Sequence, residues 1–333
     1  VKIDALLGPL ESAAVTAAAA EAGGYDGLFS GEVTGDPFLP LVLAAASTER
    51  IDIGTSIAVA LARSPMALAY TAWDLQRFSR GRLVLGLGSQ VKAHVRRRYS
   101  MPWGRPVEQM RDFVVVMQAV WDSWATGAPL DIHTEHYTHT LMPPTFVPTQ
   151  HGHGAPTVLL AGVGEAMTAM AGEVADGFLC HAFTTERWLN ERTMPALRAG
   201  RARAGKTLDG FTIKATIYLA TGTDQQITTA VEEIRGHLAF YASTPQYRPL
   251  LELHGWGDLG AELTTLSKTG RWAEMPALIT DDMVDAFALV GAPADIPQLL
   301  RKRSAGVIER VSFLGSPTTP ELLDSLRDLT KGQ

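Results

Sequence analysis

One cysteine stands in 333 residues, Cys180, so no intrachain disulfide can form. A lone thiol reads as a buried core group and suits a reducing cytosol. Long apolar runs are also missing: each is broken by Glu, Arg or Gly before reaching the ~20 residues that span a bilayer. The first residues carry no basic stretch or cleavage signature, so no secretory signal is expected. Neither charge sign dominates, since 29 Lys and Arg face 35 Asp and Glu for a net charge of −6. That balance gives no general attraction to nucleic acid or to a membrane surface. Low-complexity tails and basic linkers are absent as well.

What remains is an apolar, globular composition, 46% hydrophobic and 19% charged, which supports a large buried core. One junction recurs: a helical pattern ends near small residues, passes a polar residue and enters a short apolar strand. It reads AGGYDGLFS at Ala22 to Ser30, STERIDIGTSI at Ser47 to Ile57 and FSRGRLVLGLG at Phe78 to Gly88. It returns as AGEVADGFLC at Ala171 to Cys180 and SAGVIERVSFLG at Ser304 to Gly315.

Eight strands are expected, at 2–7, 26–29, 51–57, 83–87, 158–161, 177–180, 212–220 and 311–314. Their continuous apolar character fits parallel strands covered on both faces. With helices between them, they most simply close into a (β/α)₈ TIM barrel occupying residues 1–333 as one domain, because such barrels routinely exceed about 250 residues. The alternative is an open doubly wound sheet. Two stretches, 127–155 and 245–280, fall outside the repeat and are expected as insertions over the mouth or rim.

Reactive groups in a parallel barrel follow the strand ends. After the second strand, Glu32 and Asp36 lie in a loop ending at Pro37. Asp36 either caps the next helix or touches a cofactor. The third strand ends at Ser56 and Ile57. The fourth ends in GLGSQVKAHVRRRY, where Gly88 permits close approach of a ligand and Ser89, Gln90 and His94 offer polar groups. Lys92, Arg96, Arg97 and Arg98 then concentrate positive charge, either as a solvated helix face or as a seat for a polyanionic tail.

After the fifth strand, Ala161, Gly162, Val163 and Gly164 form a strand-to-helix turn whose free amides suit a phosphate. Met167 and Val91 stand where the third glycine of a dinucleotide fingerprint would be, which excludes a standard Rossmann site. His133, His136, His139, His151 and His153 match no zinc spacing, so no metal is expected. No G-x-S-x-G elbow exists for a serine hydrolase.

Taken in order, GYDGLFSGEVTGDPFLPLVLAA, ERIDIGTSIAVALARSPMALA, FSRGRLVLGLGSQVKAHVRRRY, PTVLLAGVGEAMTAMAGEVADGFLC and VGAPADIPQLLRKRSAGVIERVSF resemble the luciferase-like family of flavin and deazaflavin oxidoreductases. The resemblance implies a non-prolyl cis peptide at Ser56–Ile57 behind the cofactor ring, and a phosphate turn at Ala161 to Gly164. The stretch GLGSQVKAHVRRRYSMPW is similar to actinobacterial F420-dependent members, and its basic residues suit an oligoglutamyl tail. Coenzyme F420 is the expected cofactor, with FMN as the alternative.

The resemblance further implies hydride transfer to or from a small organic substrate in a homodimer, and the lone thiol and missing signal add the expectation of a cytoplasmic location. The rival readings are an FMN monooxygenase and a non-catalytic F420 carrier or sensor. In the family pattern a histidine precedes the second helix and an acid follows the fourth strand, but here Pro37 and Val91 occupy those places. Among titratable residues, His94 and Glu32 are the candidates for proton transfer, with polar cofactor contacts from Asp36, Gln90 and His94.

Overall fold

Short strands that are apolar on both faces need cover inside and out, and a closed barrel wrapped in helices supplies both. In the computed structural model, which describes residues 1–304 and 306–330, the chain takes this form. The barrel strands are β1 (Lys2–Leu6), β2 (Gly27–Ser30), β3 (Asp52–Thr55), β4 (Leu83–Gly88), β5 (Thr157–Ala161), β6 (Gly177–Cys180), β7 (Thr212–Thr221) and β8 (Arg310–Gly315). Each pairs in parallel with the next, and β8 returns to β1 in the register Lys2↔Arg310 and Ile3↔Val311. The eight expected strands are all present, which excludes the open sheet.

The helices that cover them include α1 (Ala13–Gly23), α2 (Leu39–Ala46), α3 (Pro65–Phe78), α4 (Pro106–Thr126), α5 (Glu165–Val174), α6 (Met194–Arg203) and α7 (Asp224–Ala242). The helically spaced Met117, Trp121 and Trp124 are core residues of α4, and Cys180 is buried with its thiol pushed up to about 12 by desolvation. Among the described residues no helix is long and apolar enough to cross a membrane.

Three departures from expectation have local causes. The third strand was expected to reach Ile57, but its ladder stops at Thr55; a cis peptide joins Ser56 to Ile57, and pairing resumes with Ala58 and Val59 against Leu87 and Gly88. Second, an additional strand, Ala288–Gly291, pairs with the upper half of β7 on the side that β6 covers only as far as Ala215. The barrel wall is therefore split at the β6–β7 seam, where α7 and the second insertion pack.

Third, the first insertion lies on the outer flank rather than over the mouth. Aromatic surfaces of α3 and α4 hold it there: Trp73 donates to the Thr149 carbonyl at 3.2 Å and packs at a tilt against the His151 ring, while Tyr70 donates to the Phe146 carbonyl at 2.6 Å. The second insertion is largely helical, with Arg248–Leu253 and Gly257–Lys268, and it does reach the mouth.

The barrel floor is ionic and closed. Asp4 accepts from Lys214 Nζ at 2.8 Å and from Arg310 Nε and Nη2 at 3.0 and 2.6 Å; Arg310 Nη1 also reaches Asp52 at 2.6 Å. Lys214 donates to Ser312 at 2.5 Å and lies 4.1 Å from the Phe29 ring centroid. Burial charges this side chain a desolvation penalty that lowers its pKa despite Asp4, while the pairing keeps every charge compensated.

Candidate active site

The corner after β2 and β3 is built around Glu32. Its amide donates to the Ile57 carbonyl at 3.1 Å, and the Ser56 amide donates to the Ser30 carbonyl at 2.7 Å, so the cis peptide is pinned to the β2 end. The carboxylate then grips the other side of the bulge. Oε2 accepts from the Val59 amide at 2.7 Å and from Arg63 Nη1 at 2.6 Å, and Oε1 accepts from the Tyr99 hydroxyl at 2.9 Å. Desolvation, followed by the bond to Glu32, raises the Tyr99 pKa. Glu32 is thus enclosed by three donors.

Asp36 makes the helix cap. Its Oδ1 accepts from the amides of Phe38 and Leu39 at 2.8 and 3.2 Å at the start of α2, and Oδ2 reaches Arg63 at 3.3 Å. These bonds satisfy amides that an unoccupied helix start leaves without partners.

Beyond β4 the backbone turns sharply. Gly88 faces the bulge, where an added Cβ would lie 3.0 Å from Ile57 Cδ1. The Ser89 hydroxyl donates to the Gln90 carbonyl at 3.1 Å, and Gln90, at φ 59°, uses its own Oε1 to accept from the Val91 amide at 3.0 Å. A short helix, Lys92–Arg97, follows with only Val95 buried. Lys92, His94, Arg96 and Arg97 are exposed, and among the described residues none of them forms an ion pair. Arg98 differs, because Nη2 donates to the Val33 carbonyl at 2.8 Å.

The glycine turn lies on the adjoining strand. Ala58 is beside Leu87 and Leu87 beside Leu160, so bulge and turn are separated by about two strand spacings, roughly 10 Å. Gly164 has φ 88° and immediately precedes α5; a Cβ on Gly162 would come 2.7 Å from Met167 Cγ. The cradle needs both glycines, one for its dihedral and one for space. Free amides at the helix start and the helix dipole favour an anion there.

This turn opens into a cleft whose lining also includes His181, Phe183, Thr184, Trp188, Gln246 and Tyr247. His181, at the end of β6, was not singled out by the sequence. Its Nδ1 accepts from the Phe183 amide at 2.9 Å, which leaves the proton on Nε2, and that nitrogen has no partner among the described residues. Burial pushes its pKa down to about 4, so the ring is neutral near pH 7. Tyr241 and Tyr247 flank it at centroid distances of 4.6 and 5.2 Å.

The strand ends therefore present the cis bulge, the basic helix, the glycine turn and an aromatic cleft side by side. The histidines of the first insertion do not converge: His136 pairs with Asp112 at 2.8 Å and His133 with Asp131 at 3.0 Å, while His151 lies against Trp73.

Comparison with known proteins agrees with this layout. An uncharacterised protein of Mycobacterium tuberculosis is 48% identical over 303 residues, 91% of this chain and 89% of its own. Another from the same organism, provisionally named a coenzyme F420-dependent oxidoreductase, is 28% identical over 335 residues, 92% of each chain. The solved coenzyme F420 dependent tetrahydromethanopterin reductase of Methanopyrus kandleri has a TM-score of 0.77 at 20% identity, covering 100% of this chain and 97% of that one.

The oxygenating constituent of 3,6-diketocamphane monooxygenase from Pseudomonas putida, in complex with FMN, has a TM-score of 0.66 at 16% identity, covering 96% and 89%. These two structures share the fold and differ in cofactor. A family model described as luciferase-like monooxygenase matches residues 4–309, and with the closed barrel, cis bulge and glycine turn in place, the chain belongs to that family.

Proposed function

We propose that this protein is a coenzyme F420-dependent oxidoreductase that moves a hydride between the deazaflavin and a small organic substrate. The observation that carries the cofactor choice is the unpaired cation group Lys92, Arg96 and Arg97 on the helix leaving β4, one strand from the glycine turn. An oligoglutamyl tail is a flexible polyanion, and exposed, unpaired cations beside the phosphate cradle attract it. FMN has no such tail. The relative provisionally named for F420 supports the same choice.

The residues present fit the group. Gly162 and Gly164 leave the space and dihedral that a phosphate cradle requires, and the Ser56–Ile57 bulge offers a backbone shelf for a planar ring. When bound, the deazaflavin supplies a two-electron hydride carrier. The protein contributes orientation and water exclusion. Glu32 is a positioning residue in this scheme, because its amide and carboxylate fix the bulge from both sides. His94, exposed at the mouth and with no side-chain partner among the described residues, is the proposed proton-exchanging residue, with Gln90 and Ser89 as polar contacts to the cofactor.

A homodimer is proposed on the outer face of α2. Leu39, Val42 and Leu43 are exposed there on a helix with no polar side chain, and a second copy would bury them. A molar mass of one chain by light scattering at micromolar concentration would contradict this.

The reaction is tested by mixing the purified protein anaerobically with reduced F420 and a panel of carbonyl and activated alkene compounds, following the deazaflavin absorbance. Enzyme-dependent oxidation of reduced F420 with stoichiometric substrate reduction is expected. Oxygen consumption with reduced FMN, and no turnover with F420, would replace this reading by the monooxygenase one.

A further inference from the structure

The cleft beside the glycine turn is lined by His181 and Tyr247, Tyr241 packs against both of those rings, and Tyr218 belongs to the same buried cluster. His181 Nε2–H has no acceptor, and the hydroxyls of Tyr218, Tyr241 and Tyr247 likewise form no hydrogen bond among the described residues. His181, Tyr241 and Tyr247 are half-buried, so their donors remain open to a ligand. These groups come from β6, β7, α7 and the second insertion, so the fold brings together four donors from distant parts of the chain.

Their surroundings define the chemistry. The rings of His181, Phe183, Tyr241 and Tyr247 contact one another at centroid distances of 4.6 to 5.9 Å, and Phe183 stacks on Phe287 at 4.4 Å. Among the described residues, no Lys, Arg, Asp or Glu lines this cleft. Burial raises the pKa of all three tyrosines and lowers that of His181, so each stays a neutral donor at pH 7. Away from the helix start at the turn, an ionic ligand would find no counter-charge.

We infer that His181, Tyr218, Tyr241 and Tyr247 form a substrate-recognition subsite for an uncharged planar group bearing a hydrogen-bond-accepting oxygen, of the aryl ketone or quinone type. This rests on the proposed oxidoreductase reading and names the substrate class for it. The aromatic walls take the ring, and two of the donors satisfy the carbonyl lone pairs. An isostere without the oxygen leaves those donors unpaired, which is how a polar pocket rejects an apolar analogue.

The test is an equilibrium titration of the full chain, without cofactor, using acetophenone and α-methylstyrene, which differ only by oxygen against methylene. Acetophenone is expected to bind tighter by on the order of tenfold, the effect of about one net hydrogen bond. Tyr218→Phe and Tyr247→Phe keep the rings, and together they should abolish the preference while α-methylstyrene affinity holds. Equal affinity of the two probes in the unmodified protein, or a preference that survives in the double variant, would overturn the subsite. A parallel F420 titration separates the two readings: F420 binding without carbonyl preference defeats the subsite alone, and carbonyl preference without F420 binding supports the subsite while defeating the cofactor proposal.

Discussion

The two ends of the barrel handle polar groups in opposite ways. At the floor, Asp4, Lys214, Arg310, Asp52 and Ser312 form one network in which each buried charge has a partner within 3.0 Å. At the mouth, among the described residues, His181 and three tyrosines hold donors with no acceptor, and Lys92, Arg96 and Arg97 hold charges with no counter-ion. Satisfied polar groups tie strands together, whereas idle ones are available to a ligand. Conformational stability should therefore depend on the floor and binding on the mouth.

The largest disturbance expected is at the floor. Asp4→Ala leaves Lys214 and Arg310 buried without their shared carboxylate, and should cost about 3 to 5 kcal/mol in urea unfolding. A loss under 1 kcal/mol would show that the network carries little.

Acid tests the neutral histidine at the mouth. Unfolded His181 takes a proton below pH ~6.5, but in the folded protein only below about 4. Between those values the unfolded state binds more protons, so stability falls as pH drops, by up to about 3 kcal/mol through this group. His181→Phe should flatten that slope, as measured by unfolding at several pH values; an unchanged slope would mean that His181 is not buried neutral.

Glu32→Gln keeps the shape of the bulge brace but removes its charge. A loss of about 1 to 2 kcal/mol is expected, with weaker F420 binding, because the Arg63 and Tyr99 bonds steady the corner. Unaltered F420 affinity would separate Glu32 from the cofactor seat. The smallest effect on stability belongs to the basic helix: replacing Lys92, Arg96 and Arg97 with Ala should change unfolding by less than about 0.5 kcal/mol, yet remove most of the salt sensitivity of F420 binding.

The barrel was legible because its signals are local. Each strand is a short apolar run after a small-residue junction, and seven of the eight were delimited to within one residue at each end without help from the rest of the chain. The exception is instructive: periodicity carries 51–57 as one run, but only the family resemblance marks Ser56–Ile57 as a break. The glycine turn and the helix cap at Asp36 were likewise visible in adjacent residues.

What escaped the sequence is non-local. His181 follows directly on an expected strand, yet nothing near it in the chain announces Tyr241 and Tyr247, some sixty residues later, or the Phe183 amide bond that sets its tautomer. Ala288–Gly291 lies outside the eight expected strands, and its pairing depends on β6 leaving that edge of β7 uncovered. Glu32, chosen as a titratable group at the mouth, turned out to be held by donors from Val59, Arg63 and Tyr99. The first insertion is expected over the mouth or rim because long excursions are often lids or interface elements, but its partners are aromatic side chains on the flank.

The most direct test of the account is a side-by-side titration of the purified protein with F420 and FMN at low and high salt. Selective F420 binding that weakens as salt screens the basic helix is the predicted result. Selective FMN binding, or F420 affinity indifferent to salt, would contradict the assignment of the unpaired cations at the mouth to the deazaflavin tail.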